Sequence, residues 1–140
     1  MVRVYVASPL KYDATNDEIN HQLGKIPEVE VFLPASLYDN FREEDKARRI
    51  AEACYDEIDQ SDVVVVVEPF GLDVAAEVGY TIARKRSGDN KLVLFYQTKH
   101  GPNRESYMLG HPDFKKVDSI AHLVARVARF QREKTQVSAK

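Results

Sequence analysis

Short apolar runs alternate with longer amphipathic stretches along most of the chain. The runs are rich in β-branched and aromatic residues and are bounded by polar residues or proline, a pattern that is typical of β-strands. We predict strands at residues 2–7, 29–33, 63–67, 92–96 and 114–117. The run at 63–67 is five consecutive valines. Because nothing in it alternates, we expect it to be covered on both faces, as in the middle of a parallel sheet.

Between these runs, apolar residues recur at steps of three and four, which predicts helices. The helical stretches are residues 13–23, residues 43–60, a segment that opens near residue 71, and a closing helix from about residue 120. In the third of these, we predict that Asp73 is the N-cap. A line of small residues in the same helix is expected to let it approach the sheet closely; the line is Ala75, Gly79 and Ala83.

Strands that alternate with helices at this spacing predict a doubly wound α/β fold with about five parallel strands. Since crossovers are right-handed and the chain has 140 residues, a flavodoxin-like strand order is favoured, in a single domain over residues 1–130. We predict that residues 131–140 form a frayed tail. Ligands of such folds bind at the carboxyl ends of the strands, so the residues that directly follow each strand are the candidates for chemistry.

The composition narrows the class of function. Twenty basic residues against 22 acidic residues give a net charge of −2, which does not fit a nucleic-acid-binding domain. A single cysteine excludes an internal disulfide, and the four histidines show no ligand spacing, so no metal site is expected. No apolar run approaches the ~20 residues that span a bilayer, and the first residues enter a strand without a leader. We expect a soluble, cytoplasmic protein with a small-molecule ligand and neither a nucleic-acid nor a membrane partner.

Glu77 is the strongest candidate for chemistry. We predict it in the first turn of the helix that follows the valine strand, near the crevice, where the helix N-terminus favours the ionised form. An ionised carboxylate beside the anomeric carbon of a sugar can act as a nucleophile and form a covalent glycosyl intermediate. The alternative is an acid that only complements the helix dipole. Glu68, which directly follows the valines, is a second acid considered for this role.

Three segments carry a resemblance to a known family. Residues 4–10 (VYVASPL), residues 61–65 (SDVVV) and residues 76–80 (AEVGY), the last followed by Ala83, resemble the nucleoside 2-deoxyribosyltransferase family. The resemblance covers residues 2–124 and implies a flavodoxin-like fold and cleavage of an N-glycosidic bond, with Glu77 as the nucleophile. It further implies that Tyr5 orients this glutamate and that a homo-oligomer, a dimer or larger, shares its active sites between subunits.

The sequence also departs from the transferase pattern. Gly71 stands where many transferases carry an aspartate that binds the sugar 5′-hydroxyl, and Asp73 is the nearest acid. Cys54 stands where the family often has an aspartate that serves the base; Asp56 would take that place only if the helix rotates or the register shifts. Either Asp56 or Asp62 is expected to donate the proton that the leaving base takes up, and the sequence does not decide between them. These departures weaken the case for base exchange.

A related branch of the family hydrolyses deoxynucleoside 5′-monophosphates, and it holds the phosphate with a basic residue in the first loop and a serine in a late loop. Lys11 and Ser106 match these two positions. Gly71 also removes a charge that would repel a phosphate. Ser8 could donate a further hydroxyl hydrogen bond to the substrate. Both Ser8 and its neighbour Pro9 are predicted to be substrate-binding residues.

The late loop supplies the last candidates. In transferases of the family, an asparagine and a methionine from this region enter the neighbouring subunit's site, and Asn103 and Met108 are the matching residues here. We predict an enzyme that cleaves (2′-deoxy)nucleosides through a glycosyl-glutamate intermediate, exchanges the base and needs no cofactor. The alternatives are a hydrolase of 5′-monophosphates and a nucleotide-binding module without catalysis.

Overall fold

The computed structural model of this chain describes residues 1–9, 13–37, 44–68, 71–97 and 114–140. The strands are β1 (Val2–Ala7), β2 (Val29–Phe32), β3 (Val63–Val67), β4 (Leu92–Tyr96) and β5 (Phe114–Val117). The helices are α1 (Asp13–Gly24), α2 (Lys46–Gln60), α3 (Leu72–Arg86) and α4 (Ile120–Ser138), and a 3-10 turn, Pro34–Leu37, follows β2. The predicted strands and helices are therefore all present, with small differences in their bounds.

The five described strands form one parallel sheet in the order β2-β1-β3-β4-β5, which confirms the predicted doubly wound, flavodoxin-like fold. The central strand β3 pairs with β1 on one side and with β4 on the other, and all five of its valines are fully buried. The strands β2 and β3 lie on opposite sides of β1. In folds of this type, a ligand crevice forms at the carboxyl ends of the strands where the order reverses in this way.

The two faces of the sheet have separate cores because successive residues of a strand point to opposite sides. Val4 and Val6 of β1 pack on the face that α1 and α4 cover. Tyr5 and Ala7 point to the other face, which α2 and α3 cover with residues that include Cys54. The sheet therefore directs the predicted site residue Tyr5 toward the two helices that follow β2 and β3.

The start of α3 differs from the prediction. Its N-cap is Gly71, with no side-chain cap hydrogen bond, whereas Asp73 lies inside the first turn, so the prediction of Asp73 as the cap is wrong. The small residues Ala75, Gly79 and Ala83 are exposed rather than packed on the sheet. Val74 and Val78, which were predicted on the inner face of this helix together with Ile82, are buried, since burial of these larger side chains releases more apolar surface from water.

Most of the segment that was predicted as a frayed tail is helical, because α4 continues to Ser138. The Nζ of Lys134 donates to Oδ1 of Asp62 at 2.6 Å and to the Met1 carbonyl at 3.3 Å, and Phe130 packs against the core. These contacts tie the last turns of the helix to the amino-terminal edge of the sheet. Over the described residues, no helix combines the length and the apolar character needed to cross a membrane.

Candidate active site

Glu77 lies in the second turn of α3, on the side of the helix that faces the sheet between Val74 and Val78. Its side chain is 9% exposed and borders a cleft of about 430 Å³ between α2 and α3. Its Oε2 atom has no hydrogen-bond partner in the part of the chain that the structure describes. A buried carboxylate oxygen without a partner is costly, and such groups are concentrated at functional sites.

The cleft is lined mainly by small and aliphatic side chains. In the described part of the chain, the whole lining consists of Lys46, Ala47, Ile50, Ala51, Cys54 and Tyr55 from α2 and of Asp73, Ala76 and Glu77 from α3. The α2 residues recur at steps of three and four, so they form one face of that helix. An apolar lining excludes water and strengthens the electrostatic interactions of the few polar groups inside it.

Tyr5 lies beneath this cleft, fully buried, with its ring stacked on Phe32 at 5.7 Å between centroids. Its hydroxyl interacts with Glu77 and with the Cys54 thiol, although no hydrogen bond of ordinary geometry joins it to either group. Burial and the neighbouring Glu77 charge both raise the pKa of Tyr5. The phenol therefore stays protonated and available as a donor. The structure brings together the two residues for which a catalytic role was predicted.

The pKa of Glu77 is raised to about 7, first of all because of its burial. The Tyr5 hydroxyl lowers this pKa, whereas the negative charge of Asp73 raises it. Burial therefore opposes the ionised form that the helix N-terminus was expected to favour. The effect of the helix dipole fades after the first turn, and Glu77 lies in the second, where desolvation dominates.

Asp73 and Gly71 are both exposed, but they differ in their relation to the cleft. Asp73 precedes Glu77 by one helical turn and lines the cleft with it. Gly71 does not belong to that lining, and a Cβ built on it would meet nothing within 4 Å. The space at Gly71 would therefore admit a side chain, and the glycine is not required by its backbone, which has a φ of −90°.

Cys54 is buried and lines the cleft, where its thiol interacts with the Tyr5 hydroxyl. Burial is the main cause of its raised pKa, to which the charge of Glu77 adds, while the Tyr5 hydroxyl lowers it. The thiol is thus neutral near pH 7 and provides only a weak donor at this position. Lys46 and Tyr55 also line the cleft, and neither was among the residues predicted from the sequence. Lys46 lies four residues before Ile50, and Tyr55 lies four residues after Ala51. This helical spacing is the sequence feature that could have identified them.

Two predicted acids are not brought to Glu77 within the chain. Asp62 precedes β3, at the edge of the sheet opposite the start of α3, and accepts hydrogen bonds from the Arg3 backbone at 2.9 Å and from Lys134 at 2.6 Å. Asp56 is exposed and does not line the cleft, because two residues of helix turn it away from Cys54. The alternative acid, Glu68, is buried and has a pKa that burial raises, but it does not line the cleft either.

At the carboxyl end of β1, Ser8 is buried, and its Oγ has no partner in the described residues. The carbonyl of Pro9 accepts a hydrogen bond from Asn16 at 3.2 Å. The remaining candidates lie outside the described residues; they are Lys11, Asn103, Ser106 and Met108. In the ranges that are described, no group of three or more His, Cys, Asp or Glu side chains is arranged to hold a metal ion.

A buried glutamate, a buried tyrosine and an apolar cleft on a flavodoxin-like sheet define a class of protein that acts on a small organic ligand. The sequence model of the nucleoside 2-deoxyribosyltransferase family matches residues 4–134, so the chain belongs to this family. This result confirms the predicted family. It also confirms, at the level of the family, an enzyme of N-glycosyl transfer or hydrolysis.

Solved structures share the fold at low sequence identity. A 2-deoxyribosyltransferase from Bacillus psychrosaccharolyticus aligns with a TM-score of 0.66 and 16% identity, over 88% of this chain and 90% of that one. A conserved protein from Enterococcus faecalis V583 aligns with a TM-score of 0.64 and 17% identity, over 92% of this chain and 98% of that one. The CMP N-glycosidase BcmB from Clostridium botulinum aligns with a TM-score of 0.57 and 13% identity, over 89% of this chain and 97% of that one. A search of curated proteins finds no match to the chain.

Proposed function

We propose that the chain cleaves the N-glycosidic bond of a (2′-deoxy)nucleoside, with Glu77 as the nucleophile. The observation that carries this proposal is the Glu77 carboxylate, which is buried, borders an apolar cleft and has an oxygen without a partner among the described residues. A group of this kind is what a sugar needs beside its anomeric carbon. Membership in the nucleoside 2-deoxyribosyltransferase family supports the same substrate class.

The reaction has two steps that balance without a cofactor. In the first, an oxygen of ionised Glu77 bonds to C1′ while the C1′–N bond breaks, and the electron pair leaves with the base nitrogen, which takes up a proton from solvent. In the second, water or a second base attacks C1′ and loses a proton to solvent, while the ester bond to Glu77 breaks and the carboxylate is regenerated. We assign to Tyr5 the orientation of the carboxylate through its protonated hydroxyl.

The second acid of the site is Asp73 in this proposal. Within the described residues, it is the other carboxylate that lines the cleft, whereas Asp56 and Asp62 lie elsewhere in the chain. We therefore assign to Asp73 a contact with the sugar or with the leaving base. Two carboxylates with different surroundings, one buried and one exposed, are a common arrangement for glycosyl transfer.

The charge of the cleft favours an uncharged nucleoside over a 5′-monophosphate. Among the described residues, two carboxylates, Asp73 and Glu77, line it against one cation, Lys46. Lys46 is also the observation that favours the monophosphate alternative, because it lies at the start of α2, where the helix dipole attracts anions. The experiment below includes both substrate classes for this reason.

The test is incubation of the protein with each of the four deoxynucleosides and with each corresponding 5′-monophosphate, with free base followed by chromatography. We expect base release from the nucleosides, and loss of at least 10³-fold in rate in Glu77→Gln. A second base added in excess separates exchange from hydrolysis. Release only from monophosphates would select the alternative, and no release by folded protein would contradict the proposal.

We further infer that the chain forms a homo-oligomer through the exposed face of α3. Leu72 is 90% exposed at the start of this helix, and the exposed Ala75 and Ala76 continue an apolar strip up to the cleft. A second copy on this strip would cover apolar surface and narrow the opening of the cleft. Light scattering after size exclusion should show a dimer or larger, reduced by Leu72→Glu. The matched control Val137→Glu changes another aliphatic residue, which is 76% exposed and lies on α4.

A further inference from the structure

Two tyrosines, one on α2 and one on α3, pack against each other beside the cleft. Tyr55 lines the cleft that contains Glu77, and its ring lies against that of Tyr80 on α3, with centroids 4.5 Å apart and planes tilted by 37°. Tyr80 is on the turn of α3 that follows Ala76, another residue of the cleft wall. The cleft thus has one aromatic side chain in its lining and a second aromatic ring directly behind it.

Tyr80 is fixed in place by a short chain of polar contacts. Its hydroxyl lies 2.9 Å from each carboxylate oxygen of Asp59, and Nε of Arg84 lies 2.9 Å from Oδ1 of the same carboxylate. Asp59 follows Tyr55 by one turn on α2, so the contacts join the two helices beside the aromatic pair. Because Tyr80 cannot move without breaking these contacts, it limits the positions open to the Tyr55 ring.

The surroundings of Tyr55 suit a flat, apolar ligand surface. The α2 wall next to it consists of Ala47, Ile50 and Ala51, whose side chains offer little hydrogen bonding. The volume of about 430 Å³ lies within the range of small-molecule sites. A planar heteroaromatic ring gains most from such a wall, because it stacks on a tyrosine and removes apolar surface from water on both partners.

We propose that Tyr55 forms the wall on which the nucleobase of the substrate stacks, and that Tyr80 and Asp59 are positioning residues for it. This inference rests on the proposed function, since it needs a substrate with a base. It extends that function by giving the base a place in the cleft, beside Glu77 and on the α2 side. It also makes the face of the base, rather than its hydrogen-bonding edge, the main source of binding at this wall.

The first experiment measures binding of free bases, which are products of the proposed reaction and need no turnover. Adenine, hypoxanthine, cytosine and uracil are each titrated by calorimetry into the wild type, Tyr55→Phe and Tyr55→Leu. At least one base should bind the wild type, Tyr55→Phe should bind within about twofold, and Tyr55→Leu should bind on the order of tenfold more weakly. No binding of any base, or equal binding by Tyr55→Leu, would overturn the inference.

The second experiment tests the positioning role by steady-state kinetics on the best nucleoside. Tyr80→Phe keeps the ring but loses the contact with Asp59, so KM should rise a fewfold and by a larger factor than kcat falls. Tyr80→Leu, which also loses the ring, should raise KM further. Equal KM values for Tyr80→Phe, Tyr80→Leu and the wild type would contradict the role. Circular dichroism of each variant shows whether the fold is kept.

The two proposals fail in different ways. If bases bind in a Tyr55-dependent manner but no nucleoside is cleaved, the base wall stands and the proposed function falls. If nucleosides are cleaved with a KM that Tyr55→Leu leaves unchanged, the proposed function stands and the base wall falls.

Discussion

Asp73 lies one helical turn before Glu77 on α3, and the two carboxylates line the same cleft. Burial is the main reason that the pKa of Glu77 is raised to about 7, and the charge of Asp73 adds to it. The Tyr5 hydroxyl acts in the opposite direction. The protonation of the proposed nucleophile is therefore set by its burial and by two neighbours that can be changed one at a time.

Asp73→Asn should move the acid limb of the pH profile to lower pH. Loss of the Asp73 charge lowers the pKa of Glu77, so the ionised nucleophile persists further into acid. The profile of kcat/KM reports the free enzyme, in which activity should fall about tenfold per pH unit below the pKa of Glu77. The absolute rate at pH 8 can fall through a lost substrate contact without affecting the position of the limb. An unshifted limb would show that Asp73 does not act on Glu77.

Tyr5→Phe should move the same limb to higher pH. It removes the hydroxyl that lowers the pKa of Glu77, while the ring and its stacking on Phe32 remain. We also expect a loss of about tenfold or more at pH 8, because the carboxylate loses the group that orients it. The paired profiles of the two variants form a direct comparison. Shifts in the same direction would contradict the assigned roles.

Glu77→Gln should stabilise the protein at alkaline pH and not at acid pH. The pKa is about 7 in the folded chain and 4.5 in a free glutamate, so the folded state retains a proton that the unfolded chain has already released. Between these values, stability falls as pH rises, and the full cost, about 3 kcal/mol, is present above pH 7.

Urea unfolding of wild type and Glu77→Gln at pH 4.5 and pH 8 measures this difference. Below pH 4.5 both states of the wild type are protonated, so the two proteins should have similar stabilities. The matched control is Glu52→Gln, since Glu52 is exposed on α2. If the free energies of unfolding of Glu77→Gln and wild type differed by the same amount at both pH values, this would argue against a buried carboxylate that retains its proton.

Asp62→Asn should leave catalysis within about twofold of wild type, because Asp62 lies at the opposite edge of the sheet from α3's start. It should cost about 1 kcal/mol or less in unfolding free energy, through a weaker contact with the half-exposed Lys134. Kinetics and urea unfolding on the same preparation check both outcomes. A loss of activity of a hundredfold with the fold intact would place Asp62 in the site, within the chain or across an oligomer.

The sheet was predictable because its signals are local. Five valines in a row require cover on both faces, and the alternation of strands and helices leaves few strand orders for 140 residues. The pairing of Tyr5 with Glu77 came from resemblance to the family. It could not come from pattern, since the two residues lie on separate elements far apart in the sequence.

The details of the site were less predictable because they depend on the rotation of helices. A cap at Gly71 instead of Asp73 places Glu77 in the second turn, where burial outweighs the dipole. Gly79 and its small neighbours Ala75 and Ala83 lie on the exposed side of the same helix. The place of Tyr55 in the cleft depends on how α2 packs against α3, which no local pattern specifies.

The central claim is that Glu77 carries the sugar between the two steps. Its most direct test is a rapid quench of the protein with a cleaved substrate, followed by intact-protein and peptide mass spectrometry. We predict a transient gain of one glycosyl group on the peptide that contains Glu77, and no gain in Glu77→Gln. Base release by wild type with no adduct at any time, together with full activity of Glu77→Gln, would contradict the account.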